Sequence, residues 1–340
     1  MFETTLTVQM TSILMQGFVC FILAMALTPV YTHFAFKFKA WKQIRTDAMT
    51  GEKAPVYYKL HAAKHKRNIP TMAGIVGVVA VTITMLLLNW SRSQTYLPVF
   101  GLLAAGCVGL LDDFINIRGK SGIAGIRGSL KMALIVGVAL AGALYFFFRL
   151  GYSQIHVPAV GNFEIGWLYI PLFVLVVVST ANAVNIADGL DGLAGGLLAS
   201  CFAAYCIIAF AQGNFGIAGF CLAMVGAVLA YTWFNIFPAR FFMGDTGSFA
   251  FGTALGVVAM LTNSVFVLPV IAAVFVVEAG SSLVQIFSKK VFHRKIFLSA
   301  PIHHHLEAIG WPETKVTMRL WIIGAISAGF GMLIGLITRG

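Results

Sequence analysis

Residues 182–194 are Asn182-Ala-Val-Asn185-Ile-Ala-Asp188-Gly-Leu-Asp191-Gly-Leu-Ala194, and long apolar runs stand on both sides of them. Two amides and two carboxylates thus fall within ten residues. A carboxylate exposed to lipid costs free energy, so acidic residues at the end of an apolar segment usually mark a catalytic or transport site. The stretch therefore predicts a membrane-embedded fold with its chemistry at one edge of the membrane.

The composition of the whole chain agrees with a membrane protein. Of its 340 residues, 59% are hydrophobic and only 10% are charged, and the mean hydropathy is +0.89. A large soluble enzyme with an apolar core would need charges that interrupt every apolar run, and this chain lacks them. We predict a single integral membrane domain over residues 1–340, all-α and polytopic.

Apolar runs of roughly 20 residues predict ten transmembrane helices. The first run begins without a preceding basic residue and is long, so we interpret it as a retained span and not as a signal peptide. The predicted spans lie near residues 12–36, 71–89, 96–111, 131–150, 167–186, 193–211, 216–236, 247–263, 265–286 and 319–338.

The distribution of Lys and Arg predicts the orientation. Of the 23 Lys and Arg residues, twenty fall between spans on one side and three on the other. The basic side is typically cytoplasmic, which places both termini outside the cytoplasm and all the acidic motifs in a cytoplasmic active-site cleft. The net charge of +11 is explained by this topology, so we predict no nucleic acid partner.

Two segments outside the spans have recognisable patterns. Residues 151–166 alternate apolar and polar positions around a Pro-Ala-Val-Gly-Asn turn, which predicts a small exterior β-hairpin. Residues 284–297 mix apolar and basic positions, which is typical of an amphipathic helix along the lipid headgroups. Glu278 falls inside the ninth span, where it would pair internally or face a polar cleft.

Four motifs carry candidate chemistry at the predicted cytoplasmic side. Asp112-Asp113 ends the third span, and solvated capping is the alternative. Asn182, Asn185, Asp188 and Asp191 recur every three residues, so they are neighbours on a helical surface, although amides can also join helices in a membrane.

Asp245 stands between two glycines before the eighth span, where an isolated Asp is often only an N-cap. His303-His304-His305 are consecutive, so their side chains diverge too far to bind one ion together. Phosphate hydrogen bonding is our interpretation, with a solvated run as the alternative. Carboxylates with basic residues at one face predict a phosphorylated substrate and Mg²⁺.

The motifs resemble, in consistent order, those of a known family, the phospho-N-acetylmuramoyl-pentapeptide transferases (translocase I). These belong to the polyprenyl-phosphate N-acetylhexosamine-1-phosphate transferases. The motifs that carry the resemblance are Pro70-Thr-Met-Ala-Gly74, Asp112-Asp113, residues 182–194, Asn235 with residues 242–248, and Pro301-Ile-His-His-His-Leu-Glu307 followed by Gly310-Trp-Pro-Glu313.

The resemblance implies ten spans in the bacterial inner membrane with a cytoplasmic active site. It implies that undecaprenyl phosphate attacks the sugar-linked phosphate of UDP-MurNAc-pentapeptide, giving lipid I and UMP. The partners are then these two substrates and the lipid bilayer, and a homodimer is compatible with the sequence. The alternatives are a sister enzyme that transfers GlcNAc-1-phosphate or another sugar phosphate, and a cation-coupled transporter.

The resemblance also implies residue roles. Asp245 resembles the Mg²⁺ ligand, and Asp112 a base or a residue that positions the lipid phosphate. The other residues with implied catalytic or phosphate-handling roles are Asp113, Asp188, His303, His304 and His305. The implied substrate contacts are Lys66, Thr71, Asn182, Asn185, Gly189, Leu190, Asp191, Asn235, Phe242 and Gln285. Asp188 is expected near the phosphates and Asp191 toward the uracil.

The sequence departs from the family pattern in one chemically important place. The family usually has Lys three residues after its second Asp, and this chain has Asn116. Lys120, Arg127 or Lys131 is then the candidate for the missing cation, and we count Lys120 and Lys131 among the substrate contacts. A smaller departure is Ala73, which stands before Gly74 where the family usually has a second glycine.

Overall fold

The computed structural model describes residues 2–41, 68–89, 95–118 and 125–337, with side chains from residue 6 onward. Lys66 and Lys120, two predicted substrate contacts, lie outside these ranges. The helices within them are α1 (Phe2–Lys37), α2 (Gly74–Leu88), α3 (Tyr96–Arg118), α4 (Gly128–Leu150), α5 (Tyr169–Ala187), α6 (Leu193–Ala211), α7 (Phe215–Asn235), α8 (Gly244–Leu261), α9 (Leu268–Ile271), α10 (Ala273–Phe292), α11 (Ile302–Ala308) and α12 (Glu313–Ile337).

The described helices confirm a polytopic membrane protein. Eight of them are long and apolar enough to cross a membrane, and residues 265–292 add a ninth span if their two parts, bent by 82°, count as one. The helix α2 is equally apolar but has only 15 residues. Nine of the predicted spans each fall on one of these helices, and the one near residues 265–286 is divided between α9 and α10. The total of ten stays a prediction.

The predicted β-hairpin is confirmed by an antiparallel pair, β1 (Gln154–Val157) and β2 (Gly161–Glu164). The backbone N–H of His156 donates to Oδ1 of Asn263, just beyond the C-terminal end of α8. Asp245 lies in the first turn of the same helix. At 1.5 Å per residue, the 18 residues of α8 separate hairpin and Asp245 by roughly 27 Å.

The helix α8 is the centre of the fold, because every one of its residues is buried. Glycines allow the neighbouring helices to approach its backbone. A Cβ at Gly109 of α3 would lie 2.1 Å from the backbone oxygen of Asp245, and a Cβ at Gly252 would lie 2.7 Å from the Cα of Ala181 on α5. The first contact holds α3 beside the start of α8, and the second packs the middle of α8 against α5.

The predicted amphipathic helix over residues 284–297 is wrong as a separate element. Residues 284–292 continue α10, and His293, which follows its last residue, has a left-handed conformation with φ 53°. The sequence pattern was misleading because one face of α10 is apolar and exposed, while the opposite face carries buried polar side chains. The bend occurs earlier, at Ala272, between α9 and α10.

Candidate active site

Three carboxylates meet where α3 ends and α8 begins. One oxygen from each of Asp112, Asp113 and Asp245 lies within 4.8 Å of the others, and all three residues are buried. The predicted third span is longer than its apolar run, since α3 continues to Arg118 and carries both Asp112 and Asp113 inside the protein. Neither is a solvated cap.

Asp113 accepts hydrogen bonds from the first turn of α8. Its carboxylate accepts the backbone N–H of Asp245 at 3.2 Å and the backbone N–H and hydroxyl of Thr246 at 2.9 and 2.8 Å. The first N–H groups of a helix have no partner within the helix, so a carboxylate there satisfies them and complements the helix dipole. Asp113 therefore fixes the start of α8, and with it the position of Asp245.

Of the three candidates for the missing cation, Lys131 of α4 lies at the carboxylate cluster, and Lys120 is outside the described residues. Its Nζ lies 2.9 Å from Oδ2 of Asp112 and 2.5 Å from Oδ2 of Asp245. Arg127 is exposed at the start of α4. The other oxygen of Asp112 accepts the N–H of Ile126 at 2.6 Å, so both oxygens of Asp112 have partners.

The predicted amides lie beside this cluster on α5. Asn185 donates to Oδ1 of Asp245 at 3.2 Å and to the hydroxyl of Ser248 at 2.8 Å. Asn182, one turn earlier, donates to the backbone oxygen of Val178 at 2.8 Å. Asn185 thus orients Asp245, whereas Asn182 bonds to its own helix and to the sulfur of Met132 on α4 at 3.7 Å.

The loop after α5 is held by other helices. The N–H of Asp191 donates to Glu313 of α12 at 2.7 Å, and Oδ2 of Asp191 accepts the N–H of Ala239 at 3.0 Å. Asn235 accepts the N–H of Gly192 and donates to the backbone oxygen of Phe241, both at 2.8 Å. Asp191 and Asn235, predicted to contact substrate, therefore order the loop that follows Asp188.

Within this loop, Asp188 and Gly189 are half-buried and Leu190 is buried. Gly189 lies against the histidine segment, because a Cβ there would be 2.5 Å from Nε2 of His303 and 3.5 Å from Nε2 of His304. The structure thus brings the loop after α5 and two of the three histidines to one place. His305 points elsewhere, since its Nδ1 accepts the N–H of Leu298 at 3.2 Å.

Thr71 and Phe242 lie on two segments joined by backbone hydrogen bonds. The N–H of Phe242 donates to Pro70 at 2.8 Å, and the N–H of Ala73 donates to Phe242 at 3.0 Å. Phe242 is half-buried, and the buried Thr71 hydroxyl faces Gly244 at the start of α8. Both residues therefore adjoin the carboxylate cluster.

Gln285 has a structural role that its predicted substrate contact did not include. Its side-chain oxygen accepts the N–H groups of Ile296 and Phe297, at 3.0 and 3.1 Å, and its NH₂ donates to the backbone oxygen of Phe297 at 2.9 Å.

The sequence interpretation missed Glu313 and Ser248 as partners of the site. The sequence did contain a signal for Glu313 as a site residue, because Glu313 ends the Gly-Trp-Pro-Glu motif.

The carboxylate cluster is suited to a divalent metal ion. It offers hard oxygen ligands from three residues within one small volume. The ammonium of Lys131 lies between two of them, so positive charge is already stabilised at this point. Asp245, the predicted metal ligand, is one of the three, and the carboxylates of Asp112 and Asp113 complete the candidate set.

Comparisons with known proteins agree with this geometry. Residues 95–263 match the family model described as Glycosyl transferase family 4, a range that includes all three carboxylates. The chain is 36% identical to phospho-N-acetylmuramoyl-pentapeptide-transferases of Bacillus thuringiensis and Bacillus cereus over 333 residues, and of Bacillus anthracis over 331. In each case the match covers 95% of this chain and 98% of the relative.

The chain belongs to the phospho-N-acetylmuramoyl-pentapeptide transferase family. The matches to the relatives extend well beyond residues 95–263 of the family model, because they cover 95% of the chain. Membership in this family of membrane enzymes confirms the resemblance that the motifs carried.

Proposed function

We propose that this protein transfers phospho-MurNAc-pentapeptide from UDP-MurNAc-pentapeptide to undecaprenyl phosphate, giving lipid I and UMP, with Mg²⁺ as cofactor. The observation that carries the proposal is the contact of Lys131 with Asp112 and Asp245, beside Asp113, at the ends of three helices. The activity for which the relatives are named supports it, because they match nearly the full chain.

In the proposed reaction, an oxygen of the lipid phosphate forms a bond to the sugar-linked phosphorus, and the bond from that phosphorus to the UMP oxygen breaks. Asp112, Asp113 and Asp245 would hold Mg²⁺, which supplies charge neutralisation for aligned phosphates. Lys131 neutralises charge on a transferring phosphate oxygen. Asn185 keeps Asp245 oriented, and Asp113 keeps α8 in place.

The environment of Asp112 favours a positioning role over that of a general base. A phosphate monoester is already mostly ionised near neutral pH and needs little proton removal. Both oxygens of Asp112 have partners, one in Ile126 and one in Lys131. We therefore propose that Asp112 holds Lys131, and through it the attacking phosphate.

We further propose that the site opens to the cytoplasm of a bacterial cell, in a protein of ten spans. The count adds α2 and the bent pair of residues 265–292 to the eight long helices. The uneven distribution of Lys and Arg supports this orientation. The hairpin lies at the opposite end of α8 from Asp245, as this topology requires.

The test is formation of lipid I and UMP by the purified protein from UDP-MurNAc-pentapeptide, undecaprenyl phosphate and Mg²⁺. A parallel panel of other UDP-sugars tests the sister activity, and turnover with UDP-GlcNAc alone would contradict the proposed substrate. Uptake into vesicles without UMP release would indicate a transporter. Asp245→Asn is expected to abolish turnover, and full Mg²⁺-dependent turnover by this variant would contradict the metal assignment.

A further inference from the structure

Glu278 and His303 form a fully buried pair. Oε2 of Glu278 lies 2.7 Å from Nδ1 of His303, and both side chains have 0% exposure. Glu278 belongs to α10 and His303 to α11, and the two residues are 25 positions apart. A carboxylate inside a membrane protein is expensive and usually has a functional partner, so the contact requires an explanation beyond packing.

The pair is part of a polar stripe on α10, which we define as Glu278, Ser281, Gln285 and Ser288. Ser281 accepts the N–H of Ile302 at 2.9 Å, Gln285 binds Ile296 and Phe297, and Ser288 donates to the backbone oxygen of Arg294 at 2.9 Å. The stripe thus holds the segment from Arg294 to His303 along one face of α10. All four members contact backbone groups of this segment, and Glu278 also contacts the ring of His303.

The bond to Glu278 determines which ring nitrogen of His303 faces the site. With Glu278 ionised, its carboxylate only accepts hydrogen bonds, and the contact then requires the proton on Nδ1. Nε2 is then directed at Gly189, next to Asp188. Within the described part of the chain, neither Nε2 of His303 nor Oε1 of Glu278 has a hydrogen-bond partner, although both are buried.

The neighbouring histidine has the same arrangement. Nδ1 of His304 lies 2.8 Å from Oε2 of Glu307, and its Nε2 is also directed at Gly189. The two rings are 4.1 Å apart between centroids. Two imidazoles with carboxylates on Nδ1 therefore present Nε2 to the same point.

We propose that Glu278 is a positioning residue for the transfer reaction. It holds the proton on Nδ1 of His303 and fixes the ring, so that Nε2 is presented toward the phosphates of the nucleotide substrate beside Asp188. Its negative charge balances the imidazolium when Nε2 donates to a phosphate oxygen, as an orienting carboxylate does for other catalytic histidines. The placement of phosphates beside Asp188 rests on the proposed function.

The first test needs no turnover. Nitrogen NMR of the full-length protein in detergent, with ¹⁵N-labelled histidine, reports which ring nitrogen is protonated, and His303→Gln assigns the signal. We expect His303 to carry its proton on Nδ1 in the parent and to lose this preference in Glu278→Leu. A parent His303 protonated only on Nε2 would overturn the proposal.

The second test is kinetic. Glu278→Gln is nearly isosteric and is expected to lower kcat about 10–100-fold, the range for loss of a group that orients a ligating or catalytic histidine, with KM changed less than about threefold. In a His303→Ala background the same substitution should cause no further loss. Additive losses, or an unchanged kcat in Glu278→Gln, would contradict a role through His303.

Val277→Ala is the matched control, because Val277 is the neighbouring residue on α10 and is 53% exposed. It should retain parental kcat and parental thermal stability. If Glu278→Gln fails to fold, the nitrogen NMR of the parent still decides where the proton lies. If the parent releases no UMP from any UDP-sugar, the proposed function is wrong, and the same NMR experiment still tests the contact between Glu278 and His303.

Discussion

The carboxylate of Asp113 accepts both the backbone N–H and the hydroxyl of Thr246, at 2.9 and 2.8 Å. This contact distinguishes two adjacent residues of the same type. Asp113 anchors the first turn of α8, whereas Asp112 contacts Lys131. Neighbouring positions on a helix point about 100° apart, so the two carboxylates reach different partners from one place.

Asp113→Ala is expected to destabilise the protein by about 1–3 kcal/mol, because it leaves buried donors of α8 without an acceptor. Thermal unfolding in detergent micelles measures the effect. Asp113→Asn keeps one acceptor oxygen and should lose less stability. A parental midpoint for Asp113→Ala would contradict the capping role.

Lys131→Met removes the positive charge between Asp112 and Asp245. We expect turnover to fall about 10²–10³-fold, the usual cost of losing one group that stabilises transition-state charge. The two buried carboxylates would then repel each other, so added Mg²⁺ should raise the thermal midpoint more in this variant than in the parent.

The control for this prediction is the double variant Lys131→Met with Asp245→Asn, which should show little Mg²⁺-dependent stabilisation. Titration of MgCl₂ during thermal unfolding compares the three proteins. An equal Mg²⁺ effect in all of them would place the metal elsewhere.

Gly109→Ala tests the close approach of α3 and α8. The new Cβ would lie 2.1 Å from the backbone oxygen of Asp245, which cannot move without displacing the metal ligand candidate. Overpacking of this kind typically costs about 1–3 kcal/mol, and we expect loss of turnover as well.

Gly137→Ala provides the comparison, since a Cβ at Gly137 in α4 meets no atom within 4 Å. This variant should retain activity and stability. Folding yield, thermal midpoint and UMP release are measured for both, and an active Gly109→Ala protein would show that the two helices can separate.

Glu313→Leu removes the acceptor for the N–H of Asp191. We expect kcat/KM to fall about tenfold, which corresponds to roughly 1.4 kcal/mol, because the loop after Asp188 loses one of its supports. Met318→Ala, an exposed position on the same helix, should behave as the parent. Steady-state kinetics measure kcat/KM for both variants. Equal kcat/KM values for the two would contradict a supporting role for α12.

The sequence predicted the membrane fold well because its signals are local. A run of apolar residues is sufficient to predict a span, and all predicted spans but one fall on a single helix. The exception, residues 265–286, is bent between α9 and α10. The hairpin also followed from local alternation, and its strands pair as expected. The error at residues 284–297 arose because an amphipathic pattern does not distinguish a helix on the lipid surface from the continuation of one whose polar face is buried.

The sequence predicted which residues form the site but not which of them contact each other. Asp112, Asp113 and Asp245 were all identified. Their separate roles depend on contacts such as Lys131 with Asp245 and Asp113 with Thr246, which join residues more than 100 positions apart in the chain. Asn116 stands where the family usually has Lys, and only the geometry favours Lys131 over Arg127 as the replacement cation. The spacing of Glu278, Ser281, Gln285 and Ser288 by three and four residues was visible in the sequence, but their target was not.

The stretch from Asn182 to Ala194 shows both what the sequence predicts and what only the tertiary structure decides. By itself the sequence determined that a polar segment ends an apolar helix, since carboxylates are expensive in lipid. Only the tertiary structure decided that Asn185 orients Asp245, that Asp191 and Asn235 order the loop, and that Gly189 meets two histidines. Hydrogen bonds act over about 3 Å, so their partners are fixed by helix packing and not by distance along the chain.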